Sequence, residues 1–198
     1  MRIKSHWFKS EREKTPQEIA GALAFVIWRI GDNALKNTRK ADFEIAVGAQ
    51  YFAFLTEFLI FLMQVADRIA YRQLSAEQRF VFTGALANRA AETMAENQGR
   101  LMGGGAGEHK QRFIDKFNQR AAEYAEFHYD SDGQKFAFTR YLAYRMREVM
   151  DEKDTAWVID QIMGIEAPQA VAMVEKTMRD LFETEPEKPR TRKAADGD

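Results

Sequence analysis

Four polar side chains interrupt the most apolar stretch of the chain, and one of them is a carboxylate. Gln50, Glu57, Gln64 and Arg68 are flanked by Phe, Leu, Ile and Met. A helix turns by about 100° per residue, which puts these four within about 40° of one line. If this line is buried, Glu57 must be paired or hold its proton, because desolvating a carboxylate costs several kcal/mol. Glu57 is then a candidate acid or base, or the polar contact for an apolar ligand, and the other three are candidate ligand-binding residues.

A more ordinary interpretation is that the same line is a strip of solvent exposure. For a buried Glu57 we consider Arg145 as the ion-pair partner and as a fifth ligand-binding candidate. Arg145 follows Phe138, Tyr141 and Leu142 at helical spacing, near an apolar face. An arginine in that position also reaches solvent by laying its aliphatic stem along the rim of the core, so both arrangements stay open.

Carboxylates and histidines on two neighbouring helices raise the question of a two-metal site. Such sites in helical bundles use the motif Glu-x-x-His, which does not occur in this sequence. The absence of cysteine excludes thiolate ligands and a cysteine nucleophile. Gly103–Gly107 precedes a helix but lacks the Lys-Ser/Thr of a phosphate-binding loop, and is interpreted as a flexible joint. We therefore expect no metal site and no cofactor. The carboxylates and histidines that raised the question of a two-metal site are Glu92, Glu96, Glu123, Glu126, His109 and His128.

The elements that must position these residues are helices. The 198 residues contain four prolines, at positions 16, 168, 186 and 189, so positions 17 to 167 contain none. Since proline breaks helices and is common in loops, this gap predicts long helices with short joints. Thr15-Pro16-Gln17-Glu18 and Ser75-Ala76-Glu77-Gln78 are capping boxes that begin the first and third helices. We predict an all-α, single-domain bundle of six or seven helices around a central apolar helix at about residues 43–74.

The same apolar helix must be weighed as a membrane span. From Ile45 to Val65 there are eleven Ile, Leu, Phe and Val residues. Each of them contributes about −0.3 to −0.6 kcal/mol to the free energy of membrane insertion. Glu57 and the two glutamines nearly cancel the sum of these contributions. We favour a buried bundle helix, with membrane contact as the alternative.

Small side chains line one side of the third helix. Gly84, Ala87, Ala91 and Ala95 follow Phe80 at helical spacing. Small residues let a second helix approach closely, and that helix belongs either to this chain or to another subunit. These four residues are the candidate interface.

Nucleic-acid binding has little support in the charge pattern. The formal net charge is −1, from 29 basic and 30 acidic residues. We predict a helix from Asp154 that stops at Gly164 and another from Pro168 to about 183. Together they have the outline of a helix-turn-helix. The second helix lacks the surplus of basic residues that phosphate contacts require, so we expect no nucleic-acid partner.

The limits of the predicted helices and the composition of the two ends divide the chain into three parts. We predict a charged N-terminal segment at 1–14, a helical domain at 15–184 and a disordered charged tail at 185–198. Residues 1–14 contain no apolar core of a signal peptide, so we expect a cytoplasmic protein.

No catalytic constellation is recognisable. The leading hypothesis is a non-enzymatic bundle that acts by self-association or by binding a protein partner. The alternatives are an apolar small-molecule or lipid binder with Glu57 as its polar contact, and an enzyme that uses Glu57 as acid or base.

Overall fold

The computed structural model describes residues 14–129 and 135–183, and within these ranges it contains seven α-helices and no strand. The fold class is therefore all-α, as predicted. The predicted tail at 185–198 and the N-terminal segment up to residue 13 lie outside the described residues. The helices are α1 (Pro16–Lys40), α2 (Ala49–Ala70), α3 (Ala76–Met102), α4 (Ala106–Ala125), α5 (Lys135–Val149), α6 (Val158–Gln161) and α7 (Ala167–Phe182).

Both predicted capping boxes are formed. The Thr15 side chain accepts a hydrogen bond from the Glu18 backbone N–H, and the Glu18 carboxylate accepts one from the Thr15 backbone N–H. Ser75 and Gln78 make the same reciprocal pair at the start of α3. Each box satisfies backbone donors that the first turn of a helix leaves without an intrahelical acceptor, which is why these two starts were readable from sequence.

α2 is shorter than predicted, because residues 43–48 form a loop rather than the first turns of the helix. Arg39 holds this loop by donating to the Ile45 carbonyl from Nε and Nη2, at 3.1 and 2.5 Å. Ile45 turns into the core, and Gly48 then begins α2 with a φ of 107°, a conformation that side chains disfavour. The helix therefore starts at Ala49 and not at Phe43.

α2 packs against α1, α3, α4, α5 and α7. By length and composition it is the one helix among the described residues that meets the requirements for crossing a membrane. About 72% of its most apolar 18-residue stretch is buried by the other helices of this chain. Its apolar surface thus finds its partners within the fold.

The last two helices run into each other where a break was predicted. The expected stop at Gly164 is wrong: a π-helical turn, Ile162–Glu166, joins α6 to α7 without interruption. Pro168 has no N–H, and its ring would collide with the Gly164 carbonyl four residues back in a regular helix. A wider turn relieves that collision, so the helix bulges instead of ending. The described segment therefore lacks the turn of a helix-turn-helix.

α1 and α2 are in close contact at Gly31. A Cβ atom added there would lie 2.8 Å from Leu59 Cδ2, inside the buried core. Gly21 lies on the same helix, is exposed, and has no atom within 4 Å of its added Cβ. The two glycines form a matched pair for testing this contact.

We expect Gly21→Ala to raise the free energy of unfolding by about 0.5–1 kcal/mol, because alanine favours the helix. Gly31→Ala gains the same propensity but overfills the core, which costs about 1–3 kcal/mol. Urea unfolding of both variants measures the difference. Equal stabilisation by the two substitutions would contradict the close approach of α1 and α2.

Candidate functional site

A buried ion pair joins the middle of α2 to α4. Arg120 donates from Nε to Glu57 Oε2 at 2.8 Å and from Nη2 to Glu57 Oε1 at 2.7 Å. The two side chains are 5% and 10% exposed. Burial alone would lower the pKa of Arg120, but its hydrogen bonds to Glu57 raise it above the ordinary value. Arg120 therefore stays charged, and both carboxylate oxygens of Glu57 accept hydrogen bonds from it.

The pair continues as a chain of hydrogen bonds into α5. Arg120 Nη1 donates to Glu123 Oε2 at 2.8 Å, and the Tyr141 hydroxyl donates to the same oxygen. Arg145 Nε in turn donates to the Tyr141 hydroxyl at 2.9 Å. Burial and the bond to Glu123 raise the pKa of Tyr141 to about 12. Although burial would raise the pKa of Glu123, the bonds from Tyr141 and Arg120 lower it below the ordinary value.

The predicted polar line on α2 is covered rather than exposed. Glu57 and Gln64 are buried, so the solvent-strip interpretation is wrong for both. Gln50 is half-buried and donates to the Val149 carbonyl at 3.1 Å. Arg68 donates to the Tyr124 carbonyl at 3.1 Å. Gln50 and Arg68 thus bind backbone carbonyls at the end of α5 and in α4.

Of the two arrangements left open for Arg145, the structure has the arginine at the rim of the core and not paired with Glu57. Its head group contacts Tyr141, Glu148 and, at 3.9 Å, Glu123. The actual partner, Arg120, is the first residue of the Arg120-Ala121-Ala122-Glu123 segment of α4. The signal that sequence reasoning missed is the spacing of Phe113, Phe117, Arg120 and Tyr124, which puts this arginine on the buried stripe of α4.

The small-residue stripe of α3 is mostly covered by this chain. Ala87, Ala91 and Ala95 are buried, and α3 packs against α1, α2 and α4. In this fold the three alanines present no surface to a second subunit. Gly84 is exposed, as is Phe80, whose accessible fraction is 81%.

The glycine loop between α3 and α4 is held by a histidine. His109 Nε2 donates to the Gly103 carbonyl at 2.8 Å, and the ring lies where a side chain on Gly104 would have to be. Gly103 and Gly104 both have positive φ values, which suit glycine. His109 therefore fastens a loop that was predicted to be a flexible joint. Within the described ranges no three His, Asp or Glu side chains gather in a way that could hold a metal ion.

A hollow of about 380 Å³ opens where the α1–α2 loop meets α6 and the π-helical turn. The indole of Trp157 is 69% exposed and Ile165 is 44% exposed, whereas Phe43 is half-buried. An ion pair between Lys153 and Glu44, and a bond from the Glu44 backbone N–H to Asp154, tie the two segments together. We call this feature the Trp157 hollow, and it is lined by Ala41, Phe43, Trp157, Asp160, Gln161 and Ile165.

Another buried carboxylate, Glu166, adjoins this hollow. It is 2% exposed and accepts hydrogen bonds from Gln161 Nε2 at 3.0 Å and from Asn37 Nδ2 at 3.5 Å. Both donors are neutral amides, and no Lys, Arg or His of the described chain forms an ion pair with Glu166. Burial raises the pKa of Glu166, and the two amide bonds oppose that shift without cancelling it. Gln161 connects Glu166 to the hollow, since it also lines its wall.

The sequence carried a signal for Glu166 that was not used. Val158, Ile162, Glu166, Ala170 and Val174 are four residues apart, and all five are buried. An acid at one position of an apolar stripe is the same pattern that singled out Glu57. It was overlooked because the expected break at Gly164 separated Glu166 from the residues before it.

No protein-family model, no curated protein and no solved structure matches the chain. The candidate sites are therefore judged on their own residues.

We expect Arg120→Met to lower the free energy of unfolding by about 3–5 kcal/mol, because it leaves the Glu57 carboxylate buried without a counter-charge. Adding Glu57→Leu should restore most of the loss, since replacing both charges by apolar groups removes the desolvation cost. Urea unfolding of the single and double variants tests this.

Arg100→Met is the matched control, because its pair with Glu96 is 4.0 Å long and exposed. That variant should change stability by less than about 0.5 kcal/mol. An Arg120→Met variant no less stable than the control would contradict a buried ion pair.

Glu166→Gln should raise stability at pH 8 and bring little gain at pH 4. The folded-state pKa of Glu166 is raised, so its favourable contribution is complete below the unfolded-state pKa of about 4.3 and is lost as pH rises through the folded-state value. Glutamine stays neutral at both pH values. Melting temperatures across this range, with Glu96→Gln as an exposed control, measure the effect; a gain that does not depend on pH would refute the assignment.

Proposed function

We propose that this protein is a non-enzymatic helical module that acts by binding another protein chain, and that the Trp157 hollow is the contact surface. The observation that carries the proposal is the exposure of Trp157 and Ile165 beside Phe43 at one concave place. Tryptophan is enriched among the residues that dominate binding energy at protein interfaces. Apolar groups around a hollow also match the composition of an interface core.

The surface around Trp157 is connected to the rest of the bundle. It is built from α6, the π-helical turn and a loop that the ion pair of Lys153 with Glu44 fastens to the rest of the bundle. A surface fixed before binding loses less conformational entropy when the partner docks. The π-helical turn widens the helix where the hollow forms, and such turns are frequent at functional sites.

The two alternatives built on Glu57 have less support. Both Glu57 oxygens are bound by Arg120, so the group is neither poised to exchange a proton nor free to meet a ligand. A second hollow, of about 460 Å³, lies beside α7. Glu57 lines neither this hollow nor the Trp157 hollow. In that second hollow Lys135 and Glu175 pair with each other, which leaves them less available to a partner.

Two measurements on one pair of variants test whether the Trp157 hollow is the contact surface for a partner. Trp157→Ser should weaken binding by about 2 kcal/mol, which is roughly thirtyfold in the dissociation constant, because it removes the central apolar anchor. Phe25→Ser is the matched control, since Phe25 is 65% exposed on α1 and does not line the Trp157 hollow. Sedimentation of the purified chain detects self-association, and affinity capture from cells that express the protein detects a different partner.

Loss of the complex with Trp157→Ser and its retention with Phe25→Ser supports the proposal. A strict monomer at high concentration removes self-association and leaves a different chain as the partner. Complexes that survive Trp157→Ser would place the contact surface elsewhere. Circular dichroism of both variants establishes that the bundle is still folded.

A further inference from the structure

The walls of the Trp157 hollow combine aromatic rings with an unpaired carboxylate. Phe43 and Trp157 supply the rings, and Asp160 supplies the carboxylate. Asp160 is exposed and forms no hydrogen bond or ion pair with any described residue. Aromatic faces carry negative charge density, so rings and carboxylate favour the same sign of ligand charge.

The surroundings of the hollow add further negative charge. Glu166 is buried behind Gln161 with neutral amide partners. The segment 151–159 leading into the hollow holds three carboxylates and one lysine, and that lysine, Lys153, is paired with Glu44 at 2.6 Å. Lys40 precedes the wall residue Ala41, but it is exposed to solvent. The carboxylates in and around the hollow therefore make the electrostatic potential there favourable for a cation.

We propose that the Trp157 hollow receives an arginine side chain from the partner protein; this inference rests on the proposed function and specifies the chemistry of the partner. The guanidinium stacks on the indole face of Trp157 and donates to the Asp160 carboxylate, while Phe43 and Ile165 cover the aliphatic stem. Arginine fits better than lysine because its planar head group stacks on aromatic rings and donates two parallel hydrogen bonds to one carboxylate. A hollow of about 380 Å³ has room for one such side chain together with water.

The experiment uses single amino-acid probes, so that it does not depend on finding the partner. N-acetyl-arginine amide is titrated into the full-length, ¹⁵N-labelled protein while the indole N–H resonance of Trp157 is followed by NMR. N-acetyl-citrulline amide is the matched probe, since it has nearly the same shape and no charge. The resonance is assigned by its disappearance in Trp157→Phe.

We expect the Trp157 indole signal to shift with the arginine probe and to need roughly tenfold more of the citrulline probe for an equal shift, because the neutral probe loses both the ion pair and the stacking of a cation. Asp160→Asn should weaken arginine binding by up to about fivefold, the upper range for an exposed ion pair. Asp115→Asn, an exposed carboxylate on α4, should leave it unchanged.

Equal titrations with the two probes would overturn the inference, as would an Asp160→Asn variant that binds arginine like the wild type. Equal binding of N-acetyl-lysine amide would overturn the preference for arginine. These outcomes are separable from a failure of the proposed function. If the arginine probe does not bind but Trp157→Ser still abolishes the complex, the hollow binds a partner by another chemistry; if the probe binds and no complex depends on Trp157, the proposed function fails.

Discussion

The rest of this structure depends on the need to neutralise one carboxylate inside an apolar helix. α2 has fifteen buried residues and packs against five other helices, so a charge at its centre is largely removed from water. Leaving Glu57 unpaired there would cost several kcal/mol, a large share of the marginal stability of a domain. Arg120 meets both carboxylate oxygens, and this requirement fixes the rotation and the axial position of α4 relative to α2.

The hydrogen-bond chain that starts at this ion pair extends the constraint to α5. Arg120 and Tyr141 both donate to the Glu123 carboxylate, and Arg145 donates to the Tyr141 hydroxyl. Apolar packing alone tolerates small rotations of one helix against another, whereas bidentate hydrogen bonds do not. The network therefore specifies one arrangement of three helices within a core that is otherwise made of interchangeable apolar side chains.

Two of the buried carboxylates, Glu57 and Glu166, illustrate different uses of the same chemical group. Glu57 has a full counter-charge and is withdrawn from solvent and from both hollows. Glu166 has amide partners alone among the described residues, and burial raises its pKa. An acid that weakens the folded state and adjoins a surface hollow suggests a role beyond packing, whereas a paired acid at the centre of a bundle serves the fold. This contrast directs attention away from the most conspicuous residue of the sequence and towards α6 and the turn that follows it.

The sequence by itself determined the all-α class, the two capping boxes and the burial of the apolar helix, because each follows from contacts within a few residues or from side-chain periodicity. It indicated that Glu57 needs a partner, but it did not identify Arg120, since that pairing joins residues 63 apart and depends on how α2 and α4 are rotated. The Trp157 hollow was also beyond reach. It forms where the 41–48 loop meets a helix that continues past Gly164, and both the loop and the continuation differ from local expectation. Only the tertiary structure brings these segments together, because their contacts come from packing between distant parts of the chain and not from the propensities of either part.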